Sequence, residues 1–440
     1  MRIEDSATPA GLGTREEGET TMAQSKDAQK LKKEALKGVI RQLHEGKTVE
    51  AVKDEFASLL EDVGATEIAD LEQQLIDEGL PATEIQRLCD VHVAAFRDSL
   101  DALENPESLP GHPVYTMMEE NAAAGRVLKA LEEAVERLKA RPEDQVLLEE
   151  ARAKLRQLQV LERHYLRKEN VLFPFLEKHG FEGPSSVMWG IHDEIREAWS
   201  ELEEILSRGP IPDGDAFGPR LTEVLEPMAS QIREMVYKEE KILFPTALEK
   251  LSGEEWWEIR TQSGDIGYAF VRPGDQWPPK ETALEAVGNL EESKEPASSG
   301  AGGLLHLDTG SLTPEMVNLL FNHLPIEISF VDDQDEVRFF TQTGERIFPR
   351  SPAVIGRKVQ RCHPPDSVHK VEEILHDFRD GTRDVAEFWI QMGGTDDGTR
   401  FVHIRYFAVR DDAGTYRGTL EVVQDVTHIR ALEGEKRLLD

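Results

Sequence analysis

HYLRKENVLFPFLEKHG, residues 164–180, is the stretch on which the fold turns. Its phrase VLFPFLEK (171–178) returns as ILFPTALEK (242–250), and the two LFP cores stand 71 residues apart (243 − 172). The same offset carries Asn121 onto His192 (192 − 121) and His164 onto Met235 (235 − 164). Residues 112–250 read as four long helical patterns, broken near Arg141-Pro142, Gly180–Pro184 and Gly209–Gly218. Two helix pairs related by one offset predict an antiparallel four-helix bundle, in which each apolar stripe is buried against its neighbours.

In such a bundle, inward His and Glu residues share a face at i, i+3 or i+4. The first half offers Asn121, His164 and Lys168, and the second offers His192, Met235 and Glu239. A symmetric dinuclear site needs more than this. The retained donors are His164, His192 and Glu239, with His112 as a fourth near the first helix. Two imidazoles and a carboxylate suit one non-haem Fe(II) with open positions for O₂, NO or peroxide. Two irons would need oxygen ligands from Glu119, Glu120, Glu169 or Glu240, and Glu169, at i+5 from His164, is expected off the shared face. The competing expectation is a metal-free core. Lys168 and Glu239 are repeat-equivalent, so an ammonium there would pair with the carboxylate in place of metal charge, and Met235 would fill space.

Working outward, residues 30–105 read as wholly helical, with Leu31, Ala35, Val39, Ile40 and Leu43 at helical spacing. Cys89 and His92 lie at i, i+3, a pair expected to be structural because a zinc site needs four ligands. The bundle block is set at 110–272, and its tail, with Trp256 and Trp257, is expected to dock on it. Residues 273–311, with SKEPASSGAGG at 293–303, read as a flexible linker. After it the grammar changes to β-rich runs, IEISFVD, VRFFT, AEFWIQM, FVHIRYFAV and GTLEVVQDV, with a helix at 366–380. That predicts an α+β domain with an antiparallel sheet over 312–428, then a terminal helix over 429–440. Residues 1–29 read as a disordered leader.

A net charge of −34, from 51 Lys+Arg against 85 Asp+Glu, repels nucleic acid and anionic membranes. Neither is expected as a partner. Two cysteines exclude a disulfide framework and fit a reducing cytoplasm. No apolar run reaches the roughly 18 residues that span a bilayer.

GHPVYTMMEEN (111–121), HYLRKENVLFPFLEKHG, MWGIHDEIR (188–196) and YKEEKILFP (237–245) resemble the hemerythrin HHE cation-binding family. The resemblance implies an up-down four-helix bundle with an iron site. His164, His192 and Glu239 match the family's usual ligands, while Asn121, Lys168 and Met235 depart from them. LKGVIRQLHEGKTVEAVKDEFASLL (36–60) and LPATEIQRLCDVH (80–92) resemble the DUF438 family, which is found ahead of HHE and PAS domains. The C-terminal block resembles the PAS family through LPIEISFVDDQDEVRFF, IGRKVQRCHPPDSVHKVEEIL and the exit triplet Asp425-Val426-Thr427. PAS domains sense ligands, redox state or light, or pair with partners. Cys362 and His363 stand where a PAS helix would face a cavity, the candidate cofactor pair if haem or another PAS ligand is held.

Together these features predict a multidomain cytosolic sensor. A hemerythrin-like iron site would sense O₂, NO or redox state, and the PAS domain would relay it to a protein partner or homodimer. Two alternatives stay open: an iron-dependent enzyme handling NO, peroxide or O₂, and a metal-free interaction scaffold.

Overall fold

The computed structural model describes residues 34–43, 45–52, 64–81, 84–85, 91, 93–97, 100–101, 109–210, 216–278, 304–342, 346–393 and 399–434. The predicted leader, the linker centre, the Cys89–His92 pair and residues 435–440 lie outside them. The chain divides into two compact units. One is Met1–Asn105 with Lys238–Thr246, and the other is Pro106–Tyr237 with Ala247–Asp440.

In the first unit, residues 34–43 form a helix that buries Leu36, Val39, Ile40 and Leu43, one face at helical spacing. Helix α1 (Ala65–Asp77) buries Ile68, Ala69, Leu71 and Leu75. Lys37, nearly buried, reaches Glu78 at 2.5 Å.

The second unit opens with α2 (Pro113–Ala140), capped by His112, and α3 (Gln145–Gln159), capped by Asp144. After a one-turn break comes α4 (Glu162–Arg167), a π-turn (π1, Lys168–Leu172) and α5 (Phe173–Lys178). Helices α6 (Gly183–Arg208) and α7 (Phe217–Lys238) follow, and α7 runs into a second π-turn (π2, Glu239–Leu243) and α8 (Phe244–Lys250). Helix α9 (Gly253–Ile266) begins with a Ser252/Glu255 capping box and packs on α2, α4 and π1. The predicted docking of the Trp256 segment is thus observed, with Trp256 buried.

Residues 273–278 are not free linker. Gln276 and Trp277 donate to the Pro110 carbonyl. Gly111, at φ +105°, lies so close to Gly274 that a Cβ would stand 2.6 Å from its carbonyl oxygen. The linker's other end is ordered too: β1 (Leu305–Leu307) and β2 (Gly310–Leu312) form a hairpin before α10 (Pro314–Asn322). Apolar Leu305, Leu307 and Leu312 support strand pairing that the surrounding Gly and Ser obscured.

The C-terminal sheet has five antiparallel strands: β3 (Glu327–Asp332), β4 (Val337–Phe340), β5 (Val385–Met392), β6 (Arg400–Arg410) and β7 (Tyr416–Asp425). Their order is β4-β3-β7-β6-β5. Two short 3₁₀ turns, Pro352–Val354 and Val359–Cys362, lead into α11 (Pro365–Asp380), which crosses to β5. Val331, Val337, Val354, Val359 and Leu375 form one core cluster under this layer. A last turn, α12 (Thr427–Arg430), follows β7. This α+β layout matches the expected fold class, as does the helical region before it.

Candidate functional site

The centre of the second unit is a buried polar network at the junction of α2, α4, π1 and α6. Glu120 on α2 and His164 on α4 are fully buried, and Glu120 Oε2 meets His164 Nδ1 at 2.8 Å. Arg167 donates to the same oxygen. The other oxygen accepts from the Ala269 backbone N–H at 2.7 Å. A carboxylate holding Nδ1 fixes the ring's orientation.

His192 on α6 is held in the same way. Its Nδ1 meets Glu169 Oε1 at 2.7 Å, and its Nε2 meets Lys168 Nζ at 2.8 Å. Lysine donates and cannot accept while charged. The ring is therefore neutral, carries its proton on Nδ1 and donates to Glu169. Burial pushes the His192 pKa well below its ordinary value, and the cations Lys168 and Arg196 push the same way. Tyr165 stacks on His192 at 4.1 Å and 12°, and Lys168 Nζ lies 4.8 Å from the Tyr165 ring centre. Arg196 donates to both oxygens of Glu169, at 2.9 and 3.0 Å, and also reaches Glu162 and Asp193. Burial pushes the Glu169 carboxyl up, and the Arg196 guanidinium pulls it back down.

Straight-helix arithmetic puts Glu169 off the His164 face, and the structure has it buried against His192 on α6. Here the helix widens into the π-turn, in which the Phe173 N–H bonds the Lys168 carbonyl five residues back. Glu120, Arg167 and Tyr165 were not singled out by ligand spacing alone. Arg196 was readable as i+4 from His192.

The remaining candidates sit as follows. His112 accepts from the Val114 N–H through Nδ1 at 3.1 Å, capping α2, and its ring lies 4.7 Å from both Trp256 and Trp277. Burial lowers its pKa to about 4. Glu239 opens π2 and is buried. In the sheet domain, Cys362 packs beside the apolar cluster of Val331 and Leu375. Burial pushes its thiol up, so it stays protonated, which is not the form that ligates iron. His363 donates through Nδ1 to the Val359 carbonyl at 2.8 Å.

The bundle's donor set does not fit a divalent ion as it is arranged. An ammonium occupies the His192 nitrogen that a metal would take, and like charges at that distance repel. Among the described residues no group of three or more His, Cys, Asp or Glu is placed to hold a metal ion.

Comparison with known proteins agrees with the fold. Residues 36–102 match a family of unknown function, DUF438; residues 112–247 match the hemerythrin HHE cation binding domain; residues 317–427 match a PAS domain. Among solved structures, the C-terminal domain of a protein from Streptococcus mutans is 36% identical over 30% of this chain and 98% of that one, with a TM-score of 0.28. The PAS domain of a protein from Colwellia psychrerythraea is 16% identical over 26% and 97%, with a TM-score of 0.20. A sensory box sensor histidine kinase from Vibrio cholerae is 12% identical over 26% and 90%, again with a TM-score of 0.20. No curated protein matches the chain significantly. Among the described residues no helix is long and apolar enough to cross a membrane. Segments of the chain thus match, in order, the DUF438, hemerythrin HHE and PAS families, a combination that supports a sensor or signalling role.

Proposed function

We propose that this chain is a cytosolic signalling protein whose HHE bundle works as a metal-free input element and whose PAS domain passes the state on through protein contacts. One observation carries the reading: Lys168 Nζ on His192 Nε2 at 2.8 Å. It replaces a metal's positive charge with one supplied by the chain, while Glu120 is met by Arg167 and Glu169 by Arg196. Every member of such a network shares a partner with another, so it rearranges as a unit rather than residue by residue.

The output surface follows from exposure. Helix α10 leaves Met316, Leu319 and Leu320 half-exposed, and β5 leaves Trp389 62% exposed. Apolar area of that kind marks a contact surface. A second copy of the chain is its proposed occupant. Sedimentation of the full chain should show a dimer that Leu320→Asp with Trp389→Asp disperses.

A second reading is favoured by the two carboxylates that hold His164 and His192 by Nδ1, the usual support for metal-binding histidines. In it one iron binds the bundle through His164 and His192 once Lys168 withdraws, and O₂, NO or redox state is the signal. The enzymatic alternative, turnover of NO, peroxide or O₂, requires the same iron. Iron analysis of anaerobically loaded protein separates them. On the metal-free reading the parent protein holds far less than one iron per chain. Lys168→Met, which frees the nitrogen without adding charge, raises uptake toward about one. A parent chain that already binds one iron, and loses it in His192→Ala, would overturn the metal-free reading in favour of the second.

A further inference from the structure

The first π-turn ends at a proline. Pro174 has no N–H to offer the carbonyl four residues before it, Asn170, or the one five before it, Glu169. Buried carbonyls need donors. Here the donors come from the PAS domain. Arg357 Nη1 donates to the Glu169 carbonyl at 3.1 Å, and Ser351 Oγ donates to the Asn170 carbonyl at 2.5 Å.

Arg357 is built for this. Its Nε and Nη2 form a bidentate pair with Glu177 at 2.7 and 2.6 Å, in the helical turn after Pro174. Its guanidinium lies 5.6 Å from the Trp189 ring centre on α6. Arg357 and Glu177 are both buried. Gly356, at φ +83°, makes the bend that aims Arg357 at the bundle. The Val337 N–H donates to the Arg357 carbonyl at 3.0 Å, tying the bend to β4. Around this centre, Ala353 N–H donates to Gln262 at 3.1 Å, and Arg361 pairs with Glu182.

We infer that the PAS domain reads the bundle core through the first π-turn, with Arg357 as the reader and Glu169 as the residue common to both sides. The Glu169 side chain holds His192, and its carbonyl is held by Arg357. A change in the core that turns residue 169 moves the carbonyl that the PAS domain grips. The path is continuous: His192, Glu169, Arg357, then β4 of the sheet. A second route exists, because α11 packs on α6, the helix that carries His192. The two routes predict different responses to the variants below. The inference deepens the relay reading and rests on it.

The test is amide hydrogen exchange across residues 351–361 of the full chain. His192→Ala should raise exchange there by about tenfold in the parent. Arg357→Gln should raise it to a similar level, and His192→Ala added to that variant should change it no further. Glu177→Gln weakens the pair but keeps the guanidinium, so the response to His192→Ala should survive. Glu177→Arg with Arg357→Glu rebuilds the ion pair. It should restore protection without the response, because a carboxylate cannot donate to the Glu169 carbonyl. A response to His192→Ala that is undiminished in Arg357→Gln, or absent in the parent, overturns the inference. Dimerisation that ignores all these variants while the exchange pattern holds would remove the output reading and leave the Arg357 coupling standing.

Discussion

The turns Lys168–Leu172 and Glu239–Leu243 share the Glu-x-x-Leu-Phe-Pro ending, and in both the Phe N–H bonds a carbonyl five residues back. What surrounds them differs. The first opens with Lys168 on His192 and packs against the PAS 3₁₀ turn at Pro352–Val354. The second opens with Glu239 and packs, within its own unit, against α1 of the N-terminal helices, where Thr66 and Thr246 hydroxyls meet at 3.5 Å. One backbone device thus serves two neighbours. The lesson is that duplication preserved the turn, whose geometry follows from LFP, while the side chains around it diverged. A π-turn followed by proline leaves carbonyl groups to be covered, and covering them is a local need that any flanking domain can meet.

The largest effect that sharpens this comparison lies in the first half's charges. Glu120 has Ile191 as its counterpart 71 positions on (191 − 120), so the repeat itself shows that an apolar residue suits the fold at this place. In the first half, Glu120→Ala leaves Arg167 buried without its carboxylate and should cost about 3–5 kcal/mol. Ile191→Val removes only a methyl and should cost about 1 kcal/mol. Denaturant unfolding followed by tryptophan fluorescence measures both. Equal costs would mean that the charges in the first half are solvated in practice and that the two halves differ in name alone.

A middling effect tests the proline. Pro174→Ala supplies an N–H to the turn, which then competes with Ser351 for the Asn170 carbonyl. Loss of one such bond should weaken PAS docking by about 1 kcal/mol. Pro245→Ala, the matching change in the second turn, should leave exchange at residues 351–361 untouched. If both changes loosen the PAS domain alike, the turns are not assigned to separate neighbours.

The smallest effect lies at the exit from β7, and contrasts a buried ionic junction with an exposed hydrogen-bonded one. Asp425 Oδ1 accepts from the Thr427 N–H at 2.9 Å. The Thr427 hydroxyl and then its N–H hold the Asp425 carboxyl below its ordinary 3.8. A lowered folded value means the stabilisation is present above 3.8 and is lost as pH falls through the folded value. Amide exchange at Thr427–Ile429 should therefore quicken on acidification below about 4, and Asp425→Asn should abolish that pH dependence. Exchange that stays flat with pH in the parent would show that Asp425 does not fasten the exit turn.

Much of this was legible in the residues. The LFP repeat implied a duplicated helical pair, and the helical patterns of 112–250 placed its breaks. Period-two runs such as FVHIRYFAV and GTLEVVQDV implied the antiparallel sheet. Within the site, His164 and His192 stood out because ligand spacing on a helix is a regular signal, and Lys168 stood out as a departure from it. Glu169 was expected off the His164 face, and only packing decided that this side meets His192 on α6. Glu120 was named only as a spare oxygen donor. Its bond to the Ala269 backbone crosses 149 residues, a distance no periodicity spans.

The hairpin at Leu305–Leu312 escaped for a different reason. Two three-residue strands lie below the length at which alternation can be told from chance.

What the sequence by itself determined is therefore the inventory and the local rules: helices and strands from apolar period, a break in helical bonding wherever proline withholds an N–H, and two imidazoles left from a larger set. Only the tertiary structure decided what meets what. It put the Lys168 ammonium on His192 rather than leaving that nitrogen for a metal, and it brought Arg357, 188 residues along the chain, to the Glu169 carbonyl. The physical reason is that backbone conformation follows from near neighbours, whereas a buried charge or carbonyl must find its partner wherever packing delivers one.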